Sequence, residues 1–174
     1  TALRLGSPAA LRYPRGVAPR SAKTAVRGIP VGKSETLREG DDIAIIALGP
    51  IVLDALAAAE ELAERGIEAR VVNARFLRPL DEDAIVSAAR ECGGIVLAEE
   101  NVARGGFGSA ALECLARYGA LGVPIETVCL PDSFVGFGKA SELRSAHGLS
   151  KQGIIEAVER LLDQEESPRV RRGE

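Results

Sequence analysis

Tryptophan and methionine are both absent from this chain, and aromatic residues make up only 3% of it. Its core must therefore be built from Ala, Val, Leu and Ile. A basic excess is also missing: 22 Lys and Arg stand against 25 Asp and Glu, for a net charge of −3. Without that excess there is no surface to neutralise a run of phosphates, which argues against a nucleic-acid partner. Histidine occurs once, as His147, and cysteine three times, as Cys92, Cys114 and Cys129. That is too sparse for a metal cluster. Three widely spaced cysteines in apolar surroundings read as reduced, buried thiols, which suits a cytoplasmic protein. No apolar run approaches the ~20 residues that cross a bilayer, and no secretory signal is visible. No membrane partner is expected.

What is present fits a globular chain. The 174 residues, 46% hydrophobic and 27% charged, suffice for one good core and a remnant. Thr1 to Leu5 reads as the last turn of a helix closed by Gly6, so a fragment of a longer protein is expected. Ala9 to Tyr13 is short, apolar and stopped by Pro14, which predicts a strand. Residues 17–28 carry Pro19, Arg20, Lys23 and Arg27 without periodicity and read as a linker. Residues 164–174, with Arg169, Arg171 and Arg172, read as a disordered tail.

Between these ends, apolar runs alternate with helical stripes. Ile43–Leu48 is continuously apolar, as a strand covered on both faces must be. Gly49-Pro50 then starts a helix whose stripe is Val52, Ala55, Leu56, Ala59, Leu62 and Ala63, with Asp54, Glu60, Glu61, Glu64 and Arg65 on the outer face. Ala69–Ala74 predicts a strand; Pro79-Leu80-Asp81 opens a helix with Ile85, Ala88, Ala89 and Cys92 inward. Gly94–Ala98 is a third strand, followed by a helix from Ser109 to Tyr118 with Ala111, Cys114, Leu115 and Tyr118 as its inward stripe, and residues 124–130 form a fourth strand. Two helices close the unit, near 140–146 and 151–164, with Ser150 as N-cap. A weaker alternation over 32–38 suggests an edge strand. This order predicts an α/β fold: a three-layer α/β/α sandwich around a mostly parallel sheet.

The stretch Leu97 to Ser109 draws attention first. An apolar strand ends in Glu99, Glu100 and Asn101, and Gly105, Gly106 and Gly108 lead into a helix. Ligands of open α/β sheets bind at such an edge. Consecutive strand residues point to opposite faces, however, so Glu99 and Glu100 are not expected to share a proton. No His, Cys or Lys lies near to complete a catalytic set. The glycines match neither dinucleotide nor P-loop patterns. A structural or interface role follows for Glu99, Glu100, Asn101, Gly105, Gly106 and Gly108: bonding loop N–H groups, or meeting a partner subunit. Arg12-Tyr13-Pro14-Arg15-Gly16 is the better ligand candidate, since guanidinium groups suit bidentate recognition of phosphate or carboxylate. His147 reads as a helix C-terminal cation and Asp132 as turn chemistry. No catalytic residue and no metal site is assigned.

These segments appear in a familiar order. Arg12-Tyr13-Pro14-Arg15-Gly16 comes first, then Val72-Asn73-Ala74-Arg75-Phe76 with Pro79-Leu80-Asp81. Glu99-Glu100-Asn101 follows with Gly105-Gly106-Phe107-Gly108-Ser109, and Leu130-Pro131-Asp132 comes last. The set, from Thr1 to Leu162, resembles the C-terminal part of the 1-deoxy-D-xylulose-5-phosphate synthase family, transketolase-like thiamine diphosphate enzymes. The resemblance implies that residues 1–28 are the remnant of a central, pyrimidine-binding domain plus linker, and that 29–163 are a transketolase C-terminal domain. It implies a carboligation of pyruvate and glyceraldehyde 3-phosphate with loss of carbon dioxide. That route serves non-mevalonate isoprenoid, thiamine and pyridoxal phosphate synthesis. Thiamine diphosphate and Mg2+ would be held mainly by domains outside this chain, in a homodimer. The fragment alone is expected to be inactive. The family's motif arginine that holds the acceptor phosphate matches Arg15, with Arg12 second. One departure is noted: Phe137-Gly138 stands where the family often has His-Gly. Transketolase itself, the β-subunit of 2-oxo-acid dehydrogenases and a free-standing binding or assembly module stay as alternatives.

Overall fold

The computed structural model describes residues 1–14 and 28–166, with side chains as far as Asp163. Arg15, the linker and the tail beyond residue 166 lie outside the described residues. Five strands form one sheet: β1 (Glu35–Arg38), β2 (Ile43–Leu48), β3 (Ala69–Asn73), β4 (Gly94–Val102) and β5 (Ile125–Leu130). Their order across the sheet is β1-β3-β2-β4-β5. Only β1 runs antiparallel, at one edge. The helices are α1 (Val52–Glu64), α2 (Glu82–Glu91), α3 (Phe107–Arg117), α4 (Ala140–Ala146) and α5 (Lys151–Glu166).

The three layers follow from the period of the strands. On β2, Ile43, Ile45 and Ala47 face one way and pack with Ala55, Ala59 and Leu62 of α1 and Ile154, Ala157 and Val158 of α5. Ala44 and Ile46 face the other way and meet Ile85 and Ala88 of α2 and Phe107, Ala111 and Leu115 of α3. Strand β4 repeats the division, with Val96 and Ala98 on the α1/α5 side and Ile95 and Leu97 on the α2/α3 side. Of the six aromatic residues, Phe107 alone is buried. The rest of the core is aliphatic and small, and burial of each Leu, Ile or Val contributes about 1.5–3 kcal/mol.

Four expectations need correction. Ala9 to Tyr13 is not a strand: residues 8–14 have no regular structure and are exposed. A strand persists only when a neighbour takes its N–H and C=O groups, and among the described residues none lies beside this segment. The N-terminal turn is a single 3-10 turn, Ala2–Arg4, tied to the domain by the Ile29 N–H, which donates to Thr1 Oγ1 at 2.8 Å. Strand β4 does not end at Ala98 but runs to Val102, so Glu99, Glu100 and Asn101 are strand residues. Tyr118 lies on the outer face of its helix end rather than inside, its hydroxyl donating to Glu82 Oε2 at 2.8 Å. The Ser150 cap forms as expected, accepting from the Gly153 N–H at 3.3 Å.

Candidate functional site

The C-terminal ends of the parallel strands gather the chemistry-bearing residues, and β4 is the longest of them. Because side chains alternate along a strand, Glu99 follows Ile95 and Leu97 towards α3, and Glu100 follows Val96 and Ala98 towards α1. Glu99 is 4% exposed. Its Oε2 accepts the Phe107 N–H at 2.9 Å and its Oε1 accepts the Gly108 N–H at 2.8 Å. A helix N-terminus offers unpaired N–H groups and a partial positive charge, and here an internal carboxylate takes both.

The glycines make room for that carboxylate. A Cβ on Gly106 would stand 2.5 Å from Glu99 Oε1 and 2.6 Å from the Val102 carbonyl oxygen. Gly105 supplies the left-handed turn at φ 74°. Ser109 closes the loop: its hydroxyl accepts the Gly105 N–H at 3.0 Å and donates to the Ala103 carbonyl at 2.7 Å. Gly106 and Gly108 are buried against this chain's own Glu99; Asn101 is half-buried and Gly105 exposed.

On the other side of the sheet Glu100 joins a charge cluster. Arg144 of α4 donates through Nη2 to Asp54 Oδ2 at 2.7 Å, and the same atom lies 3.2 Å from Glu100 Oε1. Asp54 sits in the first turn of α1, where an anion is favoured. Glu100 Oε1 and Arg144 Nε are shielded from solvent and make no hydrogen bond of good geometry. Arg12, one of the two motif arginines, reaches the same point, donating from Nη2 to the Glu100 carbonyl at 3.5 Å. Sequence reasoning missed Arg144 and placed Asp54 simply on the outer face of its helix. No local signal marks either, since the pair is 90 residues apart.

The remaining candidates are structural. His147 is the C-terminal cap of α4, its N–H donating to the Leu143 and Arg144 carbonyls. Asp132 lies 3.7 Å from Arg104 in an exposed pair. The loop between β5 and α4 holds Phe134 and Phe137, both fully exposed. Burial pushes the thiols of Cys92, Cys114 and Cys129 up, which disfavours the thiolate form. An open cleft of about 720 Å³ lies between the start of α2 and α3. Asp81, 8% exposed, braces its rim by accepting the Ser34 N–H at 2.7 Å, the Ser34 hydroxyl at 2.9 Å and the Lys33 ammonium at 3.2 Å. Burial works to raise the Asp81 carboxyl, and the bonds from Ser34 and Lys33 overcome it, leaving its pKa below the usual range.

These residues do not fit a bound diphosphate or its metal. The glycine-rich start of α3 is filled by the Glu99 carboxylate, and a diphosphate there would meet that charge. Among the described residues no group of three His, Cys, Asp or Glu side chains could hold a metal ion. No helix among them is long and apolar enough to cross a membrane.

The family model of the transketolase C-terminal domain matches residues 32–154. The chain belongs to that family. Its sequence is 48% identical over 171 residues to 1-deoxy-D-xylulose-5-phosphate synthase 1 of Geobacter sulfurreducens, covering 97% of this chain and 26% of the relative. It is 49% identical over 150 residues to the synthase of Thermomicrobium roseum, covering 84% of this chain and 23% of that one. The chain thus spans about a quarter of the curated relatives it matches. Among solved structures, a split-gene transketolase described as an inactive β4 tetramer aligns with a TM-score of 0.72 and 36% identity. That alignment covers 78% of this chain and 44% of the other. A Pichia stipitis transketolase variant shares the fold at a TM-score of 0.56 and 21% identity, over 78% of this chain and 19% of the other.

Proposed function

We propose that this chain is the C-terminal part of a 1-deoxy-D-xylulose-5-phosphate synthase, acting in the cytoplasm within a homodimer. The complete enzyme would condense pyruvate with glyceraldehyde 3-phosphate, releasing carbon dioxide, for isoprenoid, thiamine and pyridoxal phosphate synthesis. One observation carries the reading. The family model accounts only for residues 32–154, yet the likeness to the Geobacter sulfurreducens synthase extends over 97% of the chain. It therefore includes the Arg12 to Gly16 motif, which a transketolase C-terminal domain alone does not explain. Thiamine diphosphate and Mg2+ would be bound by the other domains, the cofactor supplying the carbanion chemistry. This chain's part would be to hold the acceptor phosphate with Arg15, seconded by Arg12, and to present Glu100, Asn101 and Gly105 at the dimer contact.

A guanidinium beside a phosphate dianion forms a charge-assisted, bidentate pair. In the complete enzyme, Arg15→Ala should raise the KM for glyceraldehyde 3-phosphate by about tenfold or more, with the pyruvate KM little changed. An unchanged aldehyde KM would sink the phosphate assignment. The split-gene relative favours a second reading, in which the chain is one subunit of a two-chain enzyme. Both readings expect the isolated chain to show no turnover and no thiamine diphosphate binding by calorimetry; tight binding would overturn the domain map.

A further inference from the structure

Between Leu130, which packs against the α1/α5 core, and Leu149, which is buried within it, residues 131–148 contain no buried residue. They form the loop after β5 and the short helix α4. A helix of seven residues does not hold by itself, so its place depends on what fastens it. Val135 and Leu143 are only half-buried, and the Leu143 methyls lie against Gly138 of the same segment, where a Cβ would stand 3.3 Å from Leu143 Cδ2. Among the described residues, one hydrogen bond joins this segment to another strand or helix. It runs from Arg144 Nη2 to Asp54 Oδ2 at 2.7 Å, with Glu100 Oε1 3.2 Å from the same nitrogen. The Asp132–Arg104 pair at the other end is exposed and 3.7 Å long, and such pairs contribute little. The closed arrangement also carries a cost. Glu100 Oε1 and Arg144 Nε are shielded without a hydrogen bond, and water would satisfy both on opening.

We infer that residues 131–148 are a strap over the sheet edge that opens as a unit while the core stays folded, with Arg144 as its latch and Asp54 and Glu100 as the catch. Those two carboxylates stand where β2 and β4 end side by side and their connections leave in opposite directions, β2 through α1 to β3 and β4 through α3 to β5. Open α/β sheets meet ligands in such a crevice. Opening uncovers both carboxylates there and frees the loop that carries Phe134 and Phe137, which the closed strap holds fully exposed. The inference does not rest on the phosphate reading, since neither Arg12 nor Arg15 takes part in the latch.

Native-state hydrogen exchange on this chain tests it. The Leu143 and His147 N–H groups, bonded to the Lys139 and Leu143 carbonyls, report the strap; those of Ala157 and Val158 in α5 report the core. In the parent the strap amides should be at least about a hundredfold less protected than the core amides, because they open without global unfolding. Arg144→Met should lower strap protection by about a further tenfold, the factor of one charge-assisted hydrogen bond, while core protection holds within about twofold. Arg144 also sits in the last turn of α4, where a cation favours the helix itself. Asp54→Asn and Glu100→Gln separate the two effects, since they change only the catch: they should lower strap protection by about fivefold and about threefold. In the Arg144→Met background neither should add more than about 1.5-fold. Raising NaCl from about 0.05 to about 1 M should lower strap protection by about threefold in the parent and leave that of Arg144→Met unchanged. Arg104→Ala, at the exposed pair, should change it by less than about twofold. Strap amides as protected as the core amides, or strap protection unchanged in both Asp54→Asn and Glu100→Gln, would overturn the inference. Should Arg144→Met fail to fold, those two catch variants carry the test.

Discussion

Glu99 and Glu100 are neighbours on β4, with the same side chain and the same charge, and they face opposite halves of the molecule. Glu99 is sealed beneath the start of α3, where two backbone N–H groups satisfy it. Glu100 lies among side chains, half-buried, with Arg144 beside its carboxylate and Arg12 on its carbonyl. A carboxylate met by fixed backbone donors fastens the fold. One met by long side chains ties together parts that can be rearranged. The alternation of a strand is enough to separate the two roles by a single residue.

The comparison breaks most readily at Glu99. Glu99→Ala leaves two buried helix N–H groups without an acceptor and should cost about 3 kcal/mol in urea unfolding. A loss below about 1 kcal/mol would mean that the loop relaxes and that Glu99 is no more fixed than its neighbour. Gly106→Ala should cost about 2 kcal/mol, because its Cβ has no room beside Glu99 and Val102. In the Glu99→Ala background that cost should shrink, since part of the clash has been removed; strict additivity would show that the two do not act together.

Asp81 offers a second fixed carboxylate against which to calibrate the first. Its folded pKa is lowered, so its contribution is present above the unfolded carboxylate range and is lost as pH falls through the folded value. Asp81→Asn should therefore destabilise by about 1–2 kcal/mol at pH 7, and the gap from the parent should close below about pH 4. A gap that persists in acid would assign the loss to packing. The smallest effect belongs to Glu100→Gln, within about 1 kcal/mol, because its partners are long, partly solvated side chains. A loss as large as that of Glu99→Ala would erase the distinction between the two glutamates.

Much of this was legible from local pattern. The stripes of α1, α2 and α5 and the continuous runs of β2 and β4 mark a sheet covered on both faces, and strand alternation alone sets Glu99 and Glu100 apart. Two things were not legible. Glu-Glu-Asn is a poor strand sequence, so β4 reads as ending at Ala98; it continues because α3 neutralises one carboxylate and Arg144 the other. Residues 9–13 have the composition of a strand, but a strand needs a neighbour, and pairing is a property of the sheet rather than of the segment. Arg144, Asp54 and Arg12 meet only through tertiary closure, which no local window contains.

The solitary buried ring of Phe107 has an optical consequence. With no tryptophan, ultraviolet emission from this protein comes from Tyr13 and Tyr118, which are 83% and 48% exposed. Neither is in the core, so unfolding will change that emission little and must be followed by the circular dichroism of the helices. Tyr13 lies in the motif segment and Tyr118 beside Glu82 at the end of α3. A change in tyrosine emission under native conditions would therefore report a surface being covered rather than a core being lost, and the chain carries its own dye for association.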